Sequence, residues 1–329
     1  MIGTIQNLVR RTDAAVAHAY LALFRERAAI RSFLFHSLFR DEREMERNLL
    51  DPLQRTTVAQ FRQFVEYYAE SGYRFVTPAD LVAGLEPGGR YAMITFDDGY
   101  YNNVLALPVL ESCGANATFF ISTNHVRQNK SYWWDALYRA RAAQGTSHDT
   151  IYSEALSLKH LRTEAIEAQL LERFGPQALT PQTDIDRPLT PAELKEFAQH
   201  PSVHLGNHTA NHAILTNYTP AEARAQLADA QDALHEMTGT TPISVAYPNG
   251  GYNDNVIAIA REVGLKVGFT VRPAKNLMKP DADPLRLGRF CPEGDIPIRT
   301  QCRTFRSDLL VYGMFREAYL RLGRGQVAQ

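Results

Sequence analysis

The fold of this chain is decided by the stretch Ile94-Thr95-Phe96-Asp97-Asp98-Gly99. It ends an apolar run from Tyr91 that is typical of a buried parallel strand, and a helical pattern follows it. Successive residues that leave a strand point in different directions, so Asp97 and Asp98 are expected to have different tasks. One carboxylate is suited to hold a metal ion and the other to accept a proton. A helix N-cap is the alternative role for an aspartate in this position.

A second motif, His208-Thr209-Ala210-Asn211-His212, also follows a strand-like run, from Val203 to Gly206. The spacing of four predicts that both histidines lie on one helical face. A single histidine is ordinarily a surface or core residue, but two imidazoles beside one carboxylate leave coordination positions open, as in catalytic zinc sites. The sequence therefore predicts one divalent metal ion. Zn²⁺ suits these donors best, and Fe²⁺, Co²⁺ or Ni²⁺ suit them too.

The composition is that of an ordinary globular protein. The chain has 329 residues, of which 45% are hydrophobic and 22% charged, and this length predicts one large α/β domain with additions. A net charge of −1 and a pI near 6.8 argue against a nucleic-acid partner. The cysteines Cys113, Cys291 and Cys302 match no zinc motif and are expected to be reduced thiols of a cytoplasmic protein.

The N-terminus carries no recognisable export signal. Its longest apolar stretch, Ala14 to Phe24, lacks a cleavage site and is followed by Arg25-Glu26-Arg27, and it is too short to span a membrane. Residues 5–29 are predicted to form an amphipathic helix within an N-terminal segment, residues 1–30. Docking on the main domain is expected, and the arginines leave peripheral contact with a membrane open. The apolar positions of this helix include Ile5, Leu8, Val16 and Phe24.

From residue 31 to about 300, strand-like and helix-like segments alternate, which predicts a parallel sheet with crossover helices, open or closed. The alternation is interrupted between about 122 and 200 by a helix-rich insertion, in which Ser153 to Phe174 has a helical pattern. Residues 301–329 are predicted to hold a closing helix, from Asp308 to Leu322.

Polar residues follow several of the predicted strands directly. They are His36, Asp97-Asp98, His208 and Asn249. In a barrel, the carboxyl ends of all strands share one rim, so these side chains are expected to converge there. An open sheet gathers only the residues near its switch point. The spacing therefore favours a barrel.

Together, the motifs Thr95-Phe96-Asp97-Asp98-Gly99 and His208-Thr209-Ala210-Asn211-His212 resemble the first two signatures of the polysaccharide deacetylases, the NodB-homology carbohydrate esterases of family 4. The resemblance extends from about Phe33 to Phe290, without the insertion. It implies a distorted (β/α) barrel of about seven strands and a metal-dependent hydrolase that removes N-acyl groups, usually acetyl, from sugars. It also implies Asp97 as the catalytic base and Asp98, His208 and His212 as metal ligands.

The third motif departs from the commonest family pattern. Many members carry Arg-Pro-Pro-Tyr-Gly, whereas this chain has Ala246-Tyr247-Pro248-Asn249-Gly250. The retained proline and glycine imply a similar turn, with an oxyanion contact from the Asn249 N–H and with Tyr247 and Pro248 beside the substrate. Because the arginine is missing, another residue must orient Asp97. Arg272 and Arg289 are candidates, and Leu287-Gly288-Arg289 resembles the arginine-bearing segment of a subgroup with this altered motif; a surface cation is the alternative.

The general acid is also displaced. Family members usually carry a late Leu-x-x-His segment, but no histidine follows Arg289 here. Phe35-His36-Ser37 resembles the Tyr-His segment of circularly permuted members, in which the last barrel strand has moved to the front. A closed barrel keeps the same neighbours after such a move, so the resemblance implies His36 as the general acid. A buried structural histidine is the alternative.

Trp133 and Trp134 lie side by side in the insertion. Adjacent helical residues point about 100° apart, so one ring can be core while the other lines a sugar-binding rim. The function predicted is hydrolysis of an N-acyl sugar or glycan, most simply an N-acetyl one, by water activated at the metal. Two alternatives remain: an amidohydrolase or deformylase acting on a non-polymeric or non-sugar amide, and a carbohydrate-binding module without catalysis.

Overall fold

The computed structural model describes residues 2–52, 55–279, 281–293 and 296–309. Eight strands occur in this part of the chain: β1 (Ala29–Phe35), β2 (Arg74–Phe75), β3 (Arg90–Phe96), β4 (Ala117–Ile121), β5 (Val203–Asn207), β6 (Ser244–Ala246), β7 (Val267–Phe269) and β8 (Arg289–Phe290). Seven of them form one sheet in the order β7-β6-β5-β4-β3-β1-β8, and β2 pairs with β3 beside it.

The sheet nearly closes on itself. Every pairing between its seven strands is parallel. At the open side, Leu287 forms a parallel bridge with Phe269 at the end of β7, and β8 then pairs with β1 through Ser32 and Arg289. The prediction of a distorted (β/α) barrel with about seven strands is therefore confirmed. The first strand of the barrel lies between β3 and the last strand, so His36 follows a neighbour of the strand that precedes Asp97.

β3 shows why the deciding stretch is continuously apolar. Its six residues from Tyr91 to Phe96 are all buried. Tyr91 and Met93 belong to a cluster with residues of strands all around the ring, which is the barrel interior. Ala92 and Ile94 pack instead in the cluster under the surrounding helices. Because both faces of the strand are covered, no polar alternation appears.

Thirteen α-helices are found among the described residues: α1 (Ile2–Leu23), α2 (Glu42–Glu46), α3 (Val58–Glu70), α4 (Pro78–Ala83), α5 (Leu107–Ser112), α6 (Thr123–Gln128), α7 (Trp133–Ala143), α8 (His148–Leu158), α9 (Thr163–Phe174), α10 (Pro191–Phe197), α11 (Pro220–Thr238), α12 (Asp254–Glu262) and α13 (Ile298–Arg306). Four begin at capping boxes, with Thr57, Thr77, Thr190 and Thr219 as the caps. The cap hydroxyl and the third side chain satisfy backbone N–H groups reciprocally, which explains why these starts were predictable.

The insertion has a small core of its own. In α7, α8 and α9 the side chains of Leu137, Ile151 and Leu170 pack together, and residues 122–200 contain no strand. Asp135 links this core to the barrel, because it accepts hydrogen bonds from the Tyr100 hydroxyl at 2.6 Å and the Asp51 N–H at 2.9 Å. The insertion is therefore packed against the rim where the strands end.

The helical pattern from Ser153 to Phe174 is two helices, not one. The Asn217 side-chain amide donates to the carbonyls of Lys159 and Leu161, at 2.9 and 2.8 Å. These bonds satisfy carbonyl groups at the end of α8, so the link of residues 159–162 is held in a non-helical conformation. Helical periodicity on either side hides such a break in the sequence.

The N-terminal helix is shorter than predicted. α1 ends at Leu23, and β1 begins at Ala29, two residues before the predicted barrel boundary. α1 packs along α13, where the Tyr20 hydroxyl donates to Asp308 at 2.8 Å. Phe24, expected on the apolar face, is 60% exposed. Ile5 and Leu8 lie outside the residues whose side chains are described, as does most of the closing helix predicted to reach Leu322.

Candidate active site

Three predicted metal ligands meet at the carboxyl end of the barrel. The Nε2 atoms of His208 and His212 each lie 3.3 Å from Oδ1 of Asp98. One potential ligand atom from each residue lies within 4.8 Å of the others. Asp98 and His208 are 1% exposed and the His212 side chain is 11% exposed. The three side chains are thus largely shielded from solvent by the barrel, and the site is reached from the rim at the carboxyl ends of the strands.

These residues fit a divalent metal ion. Neither carboxylate oxygen of Asp98 has a hydrogen-bond partner among the described residues, although both are buried. Buried oxygens of this kind ordinarily have a partner, so they point to a ligand. Two donors bound at about 2.0 to 2.1 Å with tetrahedral geometry stand roughly 3.3 Å apart, which matches the separation of Asp98 from each imidazole. The Nδ1–H of His208 donates to the Ala246 carbonyl at 2.8 Å, which leaves Nε2 free to coordinate.

The charges of the site favour a cation at this point. Burial lowers the pKa of His208, but Asp97 and Asp98 outweigh burial and leave that pKa raised. Burial and the neighbouring cationic groups hold the pKa of His212 well below its ordinary value. His212 is therefore neutral at pH 7, which is the form that binds metal.

Unusual backbone conformations occur at and beside the predicted metal ligands. Asp98, Thr209, His212 and Asn249 all have positive φ, at 78°, 63°, 50° and 54°. Alternation along β3 would turn Asp98 away from the barrel interior, and its left-handed conformation, followed by Gly99 at 87°, breaks this alternation. Strained conformations of this kind are concentrated at functional sites.

The prediction that His208 and His212 share a helical face is wrong. Residues 208–212 form an irregular loop, in which the Thr209 hydroxyl accepts a hydrogen bond from the Ala213 N–H at 2.8 Å. Asn207, the last residue of β5, stabilises the loop, because its Oδ1 accepts a hydrogen bond from the Thr209 N–H at 2.8 Å. A loop closed by side chains brings the two imidazoles together at the same spacing as a helix would.

Asp97 is held by Arg289. The guanidinium donates to both carboxylate oxygens, with 2.7 Å for each bond. Arg289 also donates to the Thr270 carbonyl at 3.1 Å and the Thr95 hydroxyl at 3.0 Å. Burial raises the pKa of Asp97, but Arg289 and His208 outweigh it and hold this pKa below its ordinary value. Asp97 is therefore ionised at neutral pH and fixed in orientation. Arg272, the other candidate, has an exposed side chain.

His36 lies at the same rim. Its Nε2 is 4.0 Å from Oδ2 of Asp98, and its side chain is 29% exposed. The backbone behind it is fixed, because the Asn103 side-chain amide donates to the His36 carbonyl at 2.6 Å. The ring is therefore near the predicted metal ligands and open to a bound molecule, and it is not buried in the core.

The turn after β6 holds two residues that were predicted to contact substrate. Tyr247 is fully buried, and its hydroxyl donates to the Leu285 carbonyl at 3.0 Å, so the prediction of a substrate contact for its side chain is wrong. It packs in the core because the phenol can satisfy its polar atom there. Pro248 is also buried. Asn249 is exposed at the tip of the turn.

The two adjacent tryptophans lie in different environments, as neighbouring residues on a helix can. Trp133 is 3% exposed and packs in the core of the insertion, which corrects its assignment to substrate binding. Trp134 is partly exposed, and its ring centroid is 4.5 Å from that of His212. Its Nε1–H donates to the Tyr100 hydroxyl at 3.3 Å. Trp134 is therefore the one of the pair that borders the site.

Several residues of the site were missed from the sequence. The Tyr132 hydroxyl donates to the Asp98 carbonyl, and its ring stacks on Trp134 with 4.7 Å between centroids. Lys159 reaches the Asn249 side chain at 2.8 Å. Tyr132 directly precedes the tryptophan pair, and this run of three aromatic residues is the sequence feature from which its place in the site could have been predicted. Nothing in the sequence around Lys159 distinguishes it from a surface lysine.

Comparison with known proteins gives the family. A sequence model described as polysaccharide deacetylase matches residues 84–268, more than half of the chain. YxkH of Bacillus subtilis (strain 168), a relative named for this family, is 23% identical over 219 residues. That match covers 65% of this chain, and the chain spans only 58% of the length of YxkH.

Solved structures share the fold. Streptococcus pyogenes deacetylase PplD, in complex with acetate, has a TM-score of 0.59 at 19% identity, covering 85% of this chain and all of that one. IcaB from Ammonifex degensii has a TM-score of 0.56 at 18% identity, covering 86% and 99%. BC0361, a polysaccharide deacetylase from Bacillus cereus, has a TM-score of 0.59 at 16% identity, covering 85% and 69%. With its barrel, its Asp98–His208–His212 cluster and the matching family model, the chain belongs to the polysaccharide deacetylase family.

Proposed function

We propose that this protein is a metal-dependent hydrolase that removes an N-acyl group, most simply N-acetyl, from a sugar or glycan. One observation carries the proposal. Asp98 presents two buried oxygens without hydrogen-bond donors to a pair of imidazoles, directly beside a carboxylate that Arg289 holds ionised. Family membership supports the reaction class, and Zn²⁺ is the metal that suits the donors best, with Co²⁺, Ni²⁺ or Fe²⁺ as substitutes.

Asp98, His208 and His212 would hold a divalent ion. Such an ion would lower the pKa of a bound water to about 7 and would polarise an amide carbonyl. Asp97 accepts the proton of the attacking water at a carboxylate oxygen. The two hydrogen bonds from Arg289 leave the second lone pairs of those oxygens available. They also fix the carboxylate, so it need not reorient during the reaction.

His36 is proposed to protonate the leaving amine. Its Nε2 lies 4.0 Å from Asp98 Oδ2. His36 follows β1, the strand between β3 and the strand of Arg289, and the ring is accessible to substrate. An imidazole has an unperturbed pKa near 6.5, which suits an acid that works at neutral pH. In this proposal β1 corresponds to the last barrel strand of members with the usual strand order, moved to the front of the chain.

The remaining rim is proposed to bind the substrate. The backbone N–H of Asn249, at φ 54°, is proposed to donate to the oxygen that becomes negative during attack. Trp134 is proposed to lie against a sugar ring, because its ring borders His212 and is partly exposed. Residues 122–200 are proposed to act as a unit that completes this rim.

The test is release of acid from defined substrates. Protein stripped of metal and then loaded with Zn²⁺ is incubated with N-acetyl and N-formyl sugars, sugar nucleotides and glycan oligomers, and acetate and formate are measured. Acetate released only by the metal-loaded protein, and not by Asp97→Asn, is the expected result. Release from a simple non-sugar amide at the same rate would favour a general amidohydrolase, and no release from any compound would contradict the proposal.

The place of action is a separate proposal. No disulfide joins Cys113, Cys291 and Cys302 to one another, which supports a reducing compartment such as the cytoplasm. No helix among the described residues is both long and apolar enough to cross a bilayer. Fractionation of cells that express the native protein tests the proposal, and recovery from outside the inner membrane would contradict it.

A further inference from the structure

The link between α8 and α9, residues 159–162, is fastened to the loop that carries His212. The Asn217 amide, just beyond this loop, donates to the carbonyls of Lys159 and Leu161 at 2.9 and 2.8 Å. The Thr163 hydroxyl donates to the His212 carbonyl at 3.3 Å. The backbone of Lys159 is therefore held at a defined place next to a predicted metal ligand.

From this position Lys159 crosses to the turn after β6. Its Nζ donates to Oδ1 of Asn249 at 2.8 Å. That turn starts beside Ala246, whose carbonyl accepts from the His208 ring at 2.8 Å. Lys159 thus spans the rim between the two loops that follow β5 and β6.

The charge of Lys159 is poorly compensated. Among the described residues, Lys159 forms no ion pair, and the charge of Asp51 is the one acidic influence that favours its charged form. Arg289, by contrast, is fully paired with Asp97. Burial lowers the pKa of Lys159, because the ammonium is partly removed from water, and the charge of Asp51 does not fully offset this effect. An ammonium has three N–H donors, and the Asn249 amide accepts only one of them.

We propose that Lys159 is a substrate-binding residue that receives an oxyanion of the substrate, either a phosphate ester or a carboxylate on the sugar near the acylated amine. The inference rests on the proposed N-deacylase function and narrows its substrate to an anionic sugar. A negative group at this point completes the ion pair that the protein leaves unmade. A neutral sugar gains no such contact.

The alternative role for Lys159 is purely structural, as a hydrogen-bond link between the insertion and the turn after β6. Two variants distinguish this role from oxyanion binding. Lys159→Met removes the charge and the hydrogen bond to Asn249. Asn249→Gly removes the hydrogen bond but keeps the ammonium, and glycine tolerates the positive φ of this residue. If Lys159 binds an oxyanion, only the first variant loses the preference for anionic substrates; if its role is purely structural, both variants behave alike.

The experiment compares kcat/KM for three substrates of the Zn²⁺-loaded protein: N-acetylglucosamine 1-phosphate, a disaccharide of N-acetylglucosamine and glucuronate, and the neutral disaccharide of N-acetylglucosamine. We expect the wild type to prefer one anionic substrate by about tenfold or more, because one partly buried ion pair is worth roughly that factor. The anionic substrate that is preferred shows whether Lys159 receives a phosphate or a carboxylate. The preference should fall in Lys159→Met, persist in Lys159→Arg and Asn249→Gly, and weaken with added salt.

Two controls make the outcome decisive. Lys195→Met removes an exposed lysine of α10 and should keep the preference. Calorimetric binding of glucosamine 1-phosphate, against glucosamine, reports on Lys159 without turnover. Equal losses for anionic and neutral substrates in Lys159→Met, or no anion preference in the wild type, would overturn the inference while the deacylase proposal stands. If no substrate releases acetate, the deacylase proposal fails, and the binding difference alone decides whether Lys159 receives an oxyanion.

Discussion

Arg289 donates two parallel hydrogen bonds to Asp97, each of 2.7 Å, across 192 residues of sequence. The Arg289 side chain is 0% exposed and that of Asp97 is 4% exposed. β1 alone lies between β3, which Asp97 follows, and β8, which carries Arg289, so the pair bridges the end of β1. A buried, forked ion pair of this kind is geometrically specific, and it fixes the position of Asp97, the proposed base, before substrate binds.

Breaking this pair from one side should destabilise the protein. Arg289→Met leaves a buried carboxylate without a partner, which costs about 3 to 5 kcal/mol of unfolding free energy. The double variant Asp97→Asn/Arg289→Met should lose less than the sum of the single losses, since it leaves no buried charge. Urea unfolding of the four proteins measures this coupling, and additive losses would show that the pair is not coupled.

Substitutions of the two adjacent aspartates should have different effects on metal binding and turnover. Asp97→Asn is expected to keep bound metal and to lose about 10² to 10⁴ in turnover, because the proton acceptor is gone. Asp98→Asn is expected to lose metal, because a coordinating carboxylate becomes a weak amide ligand. Metal content by mass spectrometry and acetate release measure both. Metal lost from Asp97→Asn and retained in Asp98→Asn would exchange the two roles.

Metal content should follow the two histidines. His208→Ala and His212→Ala each remove one of three ligand side chains, so metal occupancy and activity are expected to fall together while the circular dichroism of the barrel persists. His235→Ala, on the exposed side of α11, is the matched control and should retain both. Full occupancy in the His208→Ala/His212→Ala double variant would rule out this site.

His36→Gln should bind metal normally and lose turnover on amides. The loss is expected to shrink for an activated ester, because its leaving group needs little protonation. Parallel kinetics on an N-acetyl sugar and an aryl acetate measure the difference. An equal loss on both substrates would mean that His36 acts otherwise, as a positioning or structural residue.

Asp135 should make stability fall as pH rises. Burial raises the pKa of Asp135 to about 8, against the hydrogen bonds from Tyr100 and Asp51. The folded state therefore keeps a proton that the unfolded state loses near pH 4, and stability decreases between about pH 4 and 8 by up to roughly 1.4 kcal/mol per pH unit. Asp135→Asn should lack this contribution. The measurement is the wild-type-minus-variant difference in urea unfolding at pH 5, 6, 7 and 8, and a constant difference would contradict the assignment.

The sequence alone determined the features that depend on neighbouring residues. The run from Tyr91 to Gly99 predicts a buried strand that ends in two carboxylates, and the threonine capping boxes mark four helix starts, because these signals act within a few residues. The alternation of strands and helices determines a parallel sheet. Polar residues after several strands favour its closure into a barrel.

Only the tertiary structure decided which distant side chains meet and which way they face. His208 and His212 converge through a loop of left-handed residues and not a helix, and Trp133 and Tyr247 turn into cores. Lys159 reaches the rim because Asn217 breaks the helical pattern around it. These outcomes depend on barrel closure and on packing across segments far apart in sequence, which local periodicity does not encode. The pairing of Arg289 with Asp97 exists for the same reason: β8 closes on β1, and β1 lies on β3.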